Sequence, residues 1–503
     1  MSLNIAFDNE KYIREQTEEI LERVHKFNNK LYLEFGGKLL FDYHASRVLP
    51  GYDPNVKMRL LRQLKDSADI ILCIFAGDIE RRKIRADFGI TYDSDALKII
   101  DDLREWGIGV TAVVITRFDN QPSATLFKNK LERRNIKVYT HHAIKGYPAD
   151  IDIIISDEGY GRNQYIETTK PLVVVTGPGP GSGKLSTCLS QLYHENKIGK
   201  NAGYAKFETF PIWNLPLKHP VNIAYEAATA DLHDVNMIDP FHIEAYGKTA
   251  VNYNRDIEIF PVISRILEAI TDSKVYKSPT DMGVNKIGSA IIDDKAACDA
   301  AKQETIRRFF RYRCEYAMGV SDIDTVNRAQ LIMKSLNLSE TDRVVVGFAR
   351  KAADEKRESK EKEGISCGAA IQLMNGEIVT GKNSPQFHAS SSLVLNAIKT
   401  LAGIPDRIHL LSPQIIDSIH NLKKGILGSK NPSLDLEETL TALCICAITN
   451  PTAQEAMEKL KDLHGCEMHM THLPTTGDEG GLRRLGVNLT ADPNFASKNL
   501  FLK

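Results

Sequence analysis

The stretch LVVVTGPGPGSGKLST, residues 172–187, joins an apolar run to a glycine-rich loop and then to the start of a polar helix. Charged stretches with helical spacing, such as SDALKIIDDLREW and SATLFKNKLERR, lie upstream of it. They alternate with four short apolar runs, at residues 70–75, 110–115, 136–139 and 151–155. Because apolar strands that alternate with helices are typical of a parallel sheet covered on both faces, the pattern predicts a Rossmann-like domain over residues 69–200.

The composition is that of an ordinary globular protein. Hydrophobic residues make up 42% and charged residues 26% of the 503 residues, which excludes disordered, collagen-like and fibrous classes. The chain has 64 Lys and Arg against 65 Asp and Glu, a formal net charge of −1. No global field would hold nucleic acid or an anionic membrane, so we expect neither as a partner.

Targeting signals are not apparent in the sequence. The N-terminal stretch is charged and lacks the apolar core of a signal peptide, and no apolar run approaches the ~20 residues of a membrane span. The eight cysteines are scattered, without a CxxC pair, which fits buried free thiols in a reducing compartment. The sequence therefore predicts a cytoplasmic protein.

Three domains are predicted, in line with about 150 residues per domain. Residues 1–219 hold the Rossmann-like sheet and the glycine-rich loop. Residues 220–340 lose the strand pattern and have helical spacing, which predicts a mainly helical middle domain. Residues 341–503 follow the order β-β-α-β-α, with an Asn375-Gly376 turn in the first hairpin. They predict a three-layer α-β-α domain, so the fold class is multidomain α/β.

The glycine-rich loop is the clearest candidate for a binding site. Alternating glycines allow backbone N–H groups to turn towards an anion, and the following helix adds its own free N–H groups and the positive end of its dipole. A lysine at the helix start would add a point charge. The predicted phosphate-binding residues are Gly177, Gly179, Gly181, Ser182, Gly183, Lys184 and Ser186. The alternative is a turn that only allows close packing of the strand and the helix.

The loop resembles the P-loop pattern G-x-x-x-x-G-K-[ST] and departs from it at two positions. Pro178 stands where the pattern has its first glycine, and Leu185 stands where a hydroxyl would bind magnesium. Asp157 and Glu158, after the fourth apolar run, resemble a Walker B motif. With Lys184 they are the candidate catalytic residues, and ATP with Mg²⁺ is the candidate cofactor. Acidic residues at a solvated strand end are the alternative interpretation.

Three segments, HASRVLPG, GPGPGSGKLSTCLSQLYHE and GDEGGLRRLGVNLT, are similar to those of a bacterial group known as uncharacterised protein family 0371, or domain of unknown function 1846. The resemblance covers nearly the whole chain. It implies a bacterial cytoplasmic protein and supplies neither an activity nor catalytic residues.

Residues 366–420 are weakly similar to the cytidine deaminase fold. Those zinc enzymes carry H-A-E at the start of one helix and P-C-x-x-C at the start of the next. Here the matching segments are His388-Ala389-Ser390 and Pro413-Gln414-Ile415-Ile416-Asp417. The resemblance therefore implies the deaminase-like fold without its zinc chemistry. His388, Ser390 and Ser391 at a predicted helix N-terminus form a candidate secondary anion site, with N-capping hydroxyls as the alternative.

The sequence favours a protein that binds a nucleotide or another phosphorylated small molecule, with phosphoryl transfer as the candidate reaction. A dinucleotide-dependent oxidoreductase is one alternative, although Gly177-x-Gly179-x-x-Ser182 lacks the last glycine of that fingerprint. A non-enzymatic assembly protein is another, and we expect a homo-oligomer. No metal site is predicted, since the histidine-containing clusters lack a standard ligand spacing.

Overall fold

The structure is a computed structural model that describes residues 5–28, 30–85, 89–358 and 365–497. These residues form two compact units. The N-terminal unit takes the described residues up to Glu226 and those of Asp234–Ala301, and the C-terminal unit takes Ala227–His233 and the described residues from Lys302 onwards. The predicted middle domain, residues 220–340, is thus divided between the two units.

A seven-stranded parallel sheet forms the centre of the N-terminal unit. The strands of this unit are β1 Leu31–Phe35, β2 Ala68–Phe75, β3 Ile84–Arg85, β4 Ile90–Thr91, β5 Ala112–Thr116, β6 Val138–His141, β7 Leu172–Thr176, β8 Gly203–Phe207, β9 Asn236–Ile238, β10 Val251–Tyr253 and β11 Gly283–Val284. The main sheet has the order β11-β8-β1-β7-β2-β5-β6, and every pair in it is parallel. The predicted parallel α/β sheet is confirmed.

Helices connect these strands and cover the sheet. They are α1 Asn9–Lys26, α2 Tyr43–Val48, α3 Val56–Leu64, α4 Ala76–Glu80, α5 Tyr92–Glu105, α6 Pro122–Glu132, α7 Ile151–Ile154, α8 Lys184–Lys197, α9 Pro220–Ala228, α10 Pro240–Tyr246, α11 Asn254–Thr271, α12 Pro279–Met282 and α13 Asp294–Ala317. Every residue of β1, β5 and β7 is buried, as expected for parallel strands that are packed on both faces.

The connections change direction between β1 and β7. The chain runs from β1 to β2 on one side of this pair, and from β7 to β8 on the other. In open parallel sheets, ligands bind outside the carboxyl ends of the strands at such a switch point. The glycine-rich loop leaves β7 at this edge, and β7 pairs directly with β1, Glu34 opposite Val175. The fold therefore places the loop where a ligand site is expected.

In the seven-stranded sheet, one predicted strand is wrong and three were missed. Ile151–Ile154 form a helical turn, which Asp150 caps by accepting a hydrogen bond from the Ile153 amide at 3.1 Å. Periodicity cannot distinguish a turn from a strand in so short an apolar run. The sequence prediction missed β1, β8 and β11. Polar residues interrupt β1 and β8, but they pair inside the sheet, as where the Tyr204 hydroxyl donates to Glu34 at 2.7 Å.

The C-terminal unit contains a four-stranded sheet of order β13-β12-β14-β15. Its strands are β12 Gly368–Gln372, β13 Ile378–Lys382, β14 Glu467–Met470 and β15 Asn488–Ala491, and its helices are α14 Ile323–Ser335, α15 Val344–Glu358, α16 Ala389–Ala402, α17 Pro413–Asn421, α18 Leu436–Ala447, α19 Pro451–Glu458 and α20 Thr476–Leu485. The antiparallel β12–β13 hairpin turns at Asn375-Gly376, where Gly376 has φ of 88°. The predicted hairpin is confirmed.

Two other expectations for this unit fail. Residues 407–412, RIHLLS, form no strand, although Leu410 and Leu411 are buried. The charged segment 350–363 has no apolar face in sequence, which predicts a solvated linker. Its described part instead belongs to α15, in which Ala352 and Ala353 are buried. Residues 359–363 of that segment lie outside the described residues.

Within the described part of the chain, no helix combines the length and the hydropathy needed to cross a membrane.

Candidate functional site

Residues 177–183 form the loop between β7 and α8, and two of its glycines have left-handed backbone angles. The φ angle is 74° at Gly181 and 90° at Gly183. A β-carbon on Gly183 would lie 2.7 Å from the Thr116 side chain, and one on Gly179 would lie 2.6 Å from the Tyr92 hydroxyl. Glycine is therefore required at Gly183 for both conformation and space.

Two side chains at the end of β5 hold the loop in place. Thr116 Oγ1 donates a hydrogen bond to the carbonyl of Ser182 at 2.8 Å, and Arg117 Nη2 donates one to the carbonyl of Gly181 at 2.5 Å. The Arg117 guanidinium also lies over the Phe75 ring, 3.4 Å from its centroid. The loop carbonyls are thus bound by the protein on the side of β2 and β5.

Most amides of the loop and of the first helical turn have no such partner. The backbone N–H groups that donate no hydrogen bond to any described residue are those of Gly179, Gly181, Gly183, Lys184, Leu185 and Ser186. Pairing resumes at Thr187, whose amide donates to the carbonyl of Gly183 at 3.0 Å. A helix N-terminus always leaves its first amides unpaired. In α8 these are the amides of Gly183 to Ser186, and the loop adds those of Gly179 and Gly181.

Lys184 is the first residue of α8, and its ammonium folds back over the loop. Its Nζ donates to the carbonyl of Gly179 at 3.3 Å and to Ser182 Oγ at 3.4 Å. The hydroxyls that follow differ in exposure. Thr187 is fully buried and accepts a hydrogen bond from Cys73 Sγ at 3.4 Å, whereas Ser186 is half-buried. Ser186 is therefore the hydroxyl of the first turn that a ligand can reach.

Positive charge predominates around the loop. The cations near the loop are Arg81, Lys83, Arg117 and Lys184, and buried carboxylates at this edge include Asp78 and Glu34, the latter opposite Val175. Asp78 pairs with Arg81 and lies 4.0 Å from Lys83 Nζ. The four cations outnumber these two buried carboxylates. Burial lowers the pKa of Arg117, and the charge of Asp78 opposes this shift.

The acidic pair that resembled a Walker B motif lies away from the loop. Asp157 accepts a hydrogen bond from Lys197 Nζ at 2.6 Å, and Lys197 is the last residue of α8, whereas Lys184 is the first. A 14-residue helix separates its ends by about 20 Å. Glu158 is exposed and pairs with Lys145. The structure does not bring this pair to the loop, because a helical turn, not a strand ending at the loop, precedes it.

A cluster of charges at the carboxyl end of β8 was not predicted. Lys206 Nζ lies 2.9 Å from Glu208 Oε1 and also pairs with Asp256. Trp213 Nε1 donates to Glu208 Oε2 at 3.2 Å. Burial raises the pKa of Glu208 to about 7, with Lys206 opposing the shift and Asp256 adding to it. No sequence motif marks this cluster, since its members come from β8, the following loop and α11. The only indication of this cluster is its place at the end of β8, the strand next to β1.

The predicted secondary anion site in the C-terminal unit already holds a carboxylate of the protein. His388 Nδ1 lies 2.8 Å from Asp478 Oδ2, and Ser390 Oγ donates to Asp478 Oδ1 at 2.6 Å. The amide of Leu436 and the hydroxyl of Thr475 donate to the same carboxylate, at 3.0 and 2.7 Å. The N-termini of α16, α18 and α20 therefore meet at Asp478.

The remaining residue of that predicted site, Ser391, donates to the carbonyl of Leu434 at 3.1 Å. Burial by itself raises the pKa of Asp478, but the hydrogen bond and charge of His388 and the Ser390 hydroxyl outweigh it and hold that pKa below its usual range. Burial lowers the pKa of His388, and Asp478 more than reverses this shift. An external anion at these residues would have to displace Asp478.

The fold and the loop define a parallel α/β protein with an open glycine-rich turn at the ligand edge of its sheet. The chain belongs to the DUF1846 family: the models for the domain of unknown function DUF1846, N-terminal and C-terminal, match residues 5–337 and 341–501. It is 58% identical over 500 residues to a UPF0371 protein of Clostridium tetani (strain Massachusetts / E88) and 59% identical to one of Clostridium botulinum (strain ATCC 19397 / Type A), covering 99% of both chains in each case. These descriptions name no activity.

Proposed function

We propose that the glycine-rich loop of the N-terminal unit binds the phosphate group of a nucleotide or another phosphorylated small molecule. The observation that carries the proposal is the contrast between the loop's carbonyls and its amides. Thr116 and Arg117 bind the carbonyls, while six amides from Gly179 to Ser186 donate to no described residue. Unpaired backbone donors at a helix N-terminus form an anion site.

The charge around the loop supports a phosphate rather than a carboxylate as the ligand group. A phosphate monoester carries about −1.5 to −2 charges at neutral pH and offers three acceptor oxygens. The four cations near the loop outnumber the buried carboxylates Asp78 and Glu34. ATP is the nucleotide that the P-loop resemblance favours. In this proposal the amides and Lys184 position the phosphate and neutralise its charge, which is the main contribution of a protein to phosphoryl transfer.

The donors near the loop do not fit the magnesium ion of a P-loop protein. Leu185 replaces the hydroxyl residue of the motif, and the Thr187 hydroxyl is fully buried against Cys73. The nearby carboxylate, Asp78, is engaged by Arg81. In this proposal the chain's own amides and Lys184 bind the phosphate without a magnesium ion held by the protein.

Equilibrium binding to the full chain tests the proposal. ATP, GTP, NAD and a sugar phosphate are titrated into wild type, Lys184→Ala and Lys197→Ala. Lys197 is the matched control, because it is a lysine at the other end of the same helix. Loss of a charge-assisted contact should weaken the binding ligand about 10- to 100-fold in Lys184→Ala, with no change in Lys197→Ala. Equal affinity of all three proteins for every ligand that binds would refute the proposal.

We also infer that the C-terminal unit keeps a deaminase-like arrangement without zinc chemistry. The support is the β12–β13 hairpin followed by α16, with His388 as the N-cap of that helix. The ring of His388 is already oriented by Asp478, and the positions of the two cysteine ligands hold Gln414 and Asp417. We expect His388→Ala to leave the zinc content of the purified chain unchanged. A loss of one zinc ion per chain would contradict the inference.

A further inference from the structure

Three different metal-ligating side chains converge in the N-terminal unit, apart from the loop. His219 directly precedes α9, and Asp294 and Cys298 lie on the first turns of α13. Because Asp294 and Cys298 are four residues apart on a helix, they share one face. One ligand atom of each of the three residues lies within 4.8 Å of those of the other two. A histidine nitrogen, a thiol sulfur and a carboxylate oxygen are the donors that zinc prefers.

The donor atoms lie close to the separations of a tetrahedral metal site. His219 Nε2 lies 2.9 Å from Asp294 Oδ1 and 3.5 Å from Cys298 Sγ. Cys298 Sγ lies 3.8 Å from Asp294 Oδ2. With Zn–S of about 2.3 Å and Zn–N or Zn–O of about 2.0–2.1 Å, a tetrahedral site separates N from O by about 3.3 Å and sulfur from either by about 3.5 Å. The histidine nitrogen contacts one carboxylate oxygen of Asp294 and the thiol sulfur the other, so binding one ion requires small side-chain rotations that bring a single oxygen to both.

Metal binding at His219 Nε2 requires a change of tautomer. The Val221 amide donates to His219 Nδ1 at a long 3.3 Å, which places the ring proton on Nε2, directed at Asp294. A metal ion at Nε2 would move that proton to Nδ1 and release the weak Val221 contact. The thiol of Cys298 would lose its own proton, since thiolate is the form that binds metal.

The exposure of the cluster leaves a coordination position open. The His219 side chain is 10% exposed, whereas that of Asp294 is 66% exposed. A shielded imidazole with a solvent-facing carboxylate allows a water molecule or a substrate atom to complete the coordination. Three protein ligands with one open position are typical of catalytic rather than structural zinc sites.

We propose that His219, Asp294 and Cys298 bind a divalent, thiophilic metal ion, with Zn²⁺ as the physiological class and Co²⁺ as its spectroscopic substitute. The proposal is independent of the glycine-rich loop. It assigns a role to Cys298, for which the sequence suggested only an inert buried thiol; the structure places this residue at intermediate exposure.

Titration of the chelator-treated full chain with Co²⁺ tests the site. We expect one Co²⁺ per chain to produce the near-ultraviolet charge-transfer band of a cobalt–thiolate bond, and Zn²⁺ to abolish the band by displacement. Cys298→Ser should remove the band. Asp294→Asn, at an exposed position that folding tolerates, should keep the band and weaken Co²⁺ binding about 10-fold or more.

Cys444→Ser is the matched control, because Cys444 is an exposed cysteine outside the cluster, and it should leave both the band and the affinity unchanged. The proposal is overturned if no stoichiometric band forms, if the band survives Cys298→Ser, or if Asp294→Asn binds Co²⁺ as tightly as wild type.

Discussion

The two units each bring helix N-termini to a point where an anion is favoured, and they differ in what supplies that anion. In the C-terminal unit, Asp478 accepts hydrogen bonds from Ser390, Thr475 and the Leu436 amide. At the glycine-rich loop, no described residue accepts a hydrogen bond from the amides of Gly179, Gly181 and residues 183–186. The first arrangement is complete within the chain, whereas the second lacks an acceptor.

This contrast separates a structural use of helix N-termini from a binding use. Small polar residues near a helix start are compatible with either use. The use is structural where a carboxylate from a distant part of the chain accepts hydrogen bonds at the site, and it is open to a ligand where none does. Asp478 is 88 residues from Ser390 and 90 from His388, so the local sequence at 388–391 does not reveal it.

The largest expected effect is on stability, in Asp478→Asn. The substitution removes a buried charge that is hydrogen-bonded by three helix starts, and leaves His388 and its other donors poorly paired. We expect the free energy of unfolding of the C-terminal unit to fall by about 3–5 kcal/mol. Denaturant unfolding followed by circular dichroism measures this.

The matched control for that experiment is Asp406→Asn. Asp406 is fully exposed, and its carboxylate lies 3.9 Å from Lys399 Nζ, so no change in stability is expected. If Asp478→Asn were as stable as Asp406→Asn, the carboxylate would not be the anion that joins these helices.

A smaller effect distinguishes two glycines of the loop. Gly183→Ala adds a β-carbon 2.7 Å from Thr116 at φ of 90°, and should destabilise the N-terminal unit by about 2–3 kcal/mol. Gly181→Ala meets no atom within 4 Å at φ of 74°, so only backbone strain of about 1 kcal/mol is expected. Thermal unfolding of both variants checks the order. Equal costs would mean that the loop is not packed against β5.

The smallest effect is a pH dependence in the C-terminal unit. The folded state raises the pKa of His388, so its contribution to stability is complete below the unfolded value of about 6.5 and is lost as pH rises through the folded value. The pKa of Asp478 is lowered, so its contribution is present above about 3.9 and is lost as pH falls through the folded value.

Unfolding free energies of wild type and His388→Asn, measured from about pH 5 to 8.5, test the histidine part. We expect the difference between the two proteins to shrink as the pH rises. A difference that is constant or grows with pH would show that protonated His388 does not pair with Asp478.

The sequence was sufficient for the centre of the fold. The runs at β2, β5 and β7 are continuous and apolar because both faces are buried, and the loop before α8 is local in sequence. The strand β1 was missed because its polar residues are paired by distant groups, as Tyr32 is with Glu195 of α8, at 2.8 Å. Periodicity cannot detect such pairing.

The candidate site was predictable only in its local part. The glycines and Lys184 are adjacent in the chain, so their pattern identified the loop. Arg117, which holds Gly181, is 64 residues away, and His219 is 75 residues from Asp294. These contacts depend on strand order and helix packing, which the sequence pattern does not specify. Asp157 and Glu158 show the opposite case. Their local sequence resembles a motif, but the fold places them at the other end of α8 from the loop.

The most direct test of the open loop is the amide spectrum of the full chain labelled with ¹⁵N-glycine. The 33 glycines give one resonance each, and Gly→Ala variants assign those of Gly179, Gly181 and Gly183. Our account predicts that inorganic phosphate, and then ATP, shifts these three amides before others, in a saturable manner that Lys184→Ala weakens. If phosphate or ATP binds while these three resonances stay in place, the loop is a packing turn and the central claim is wrong.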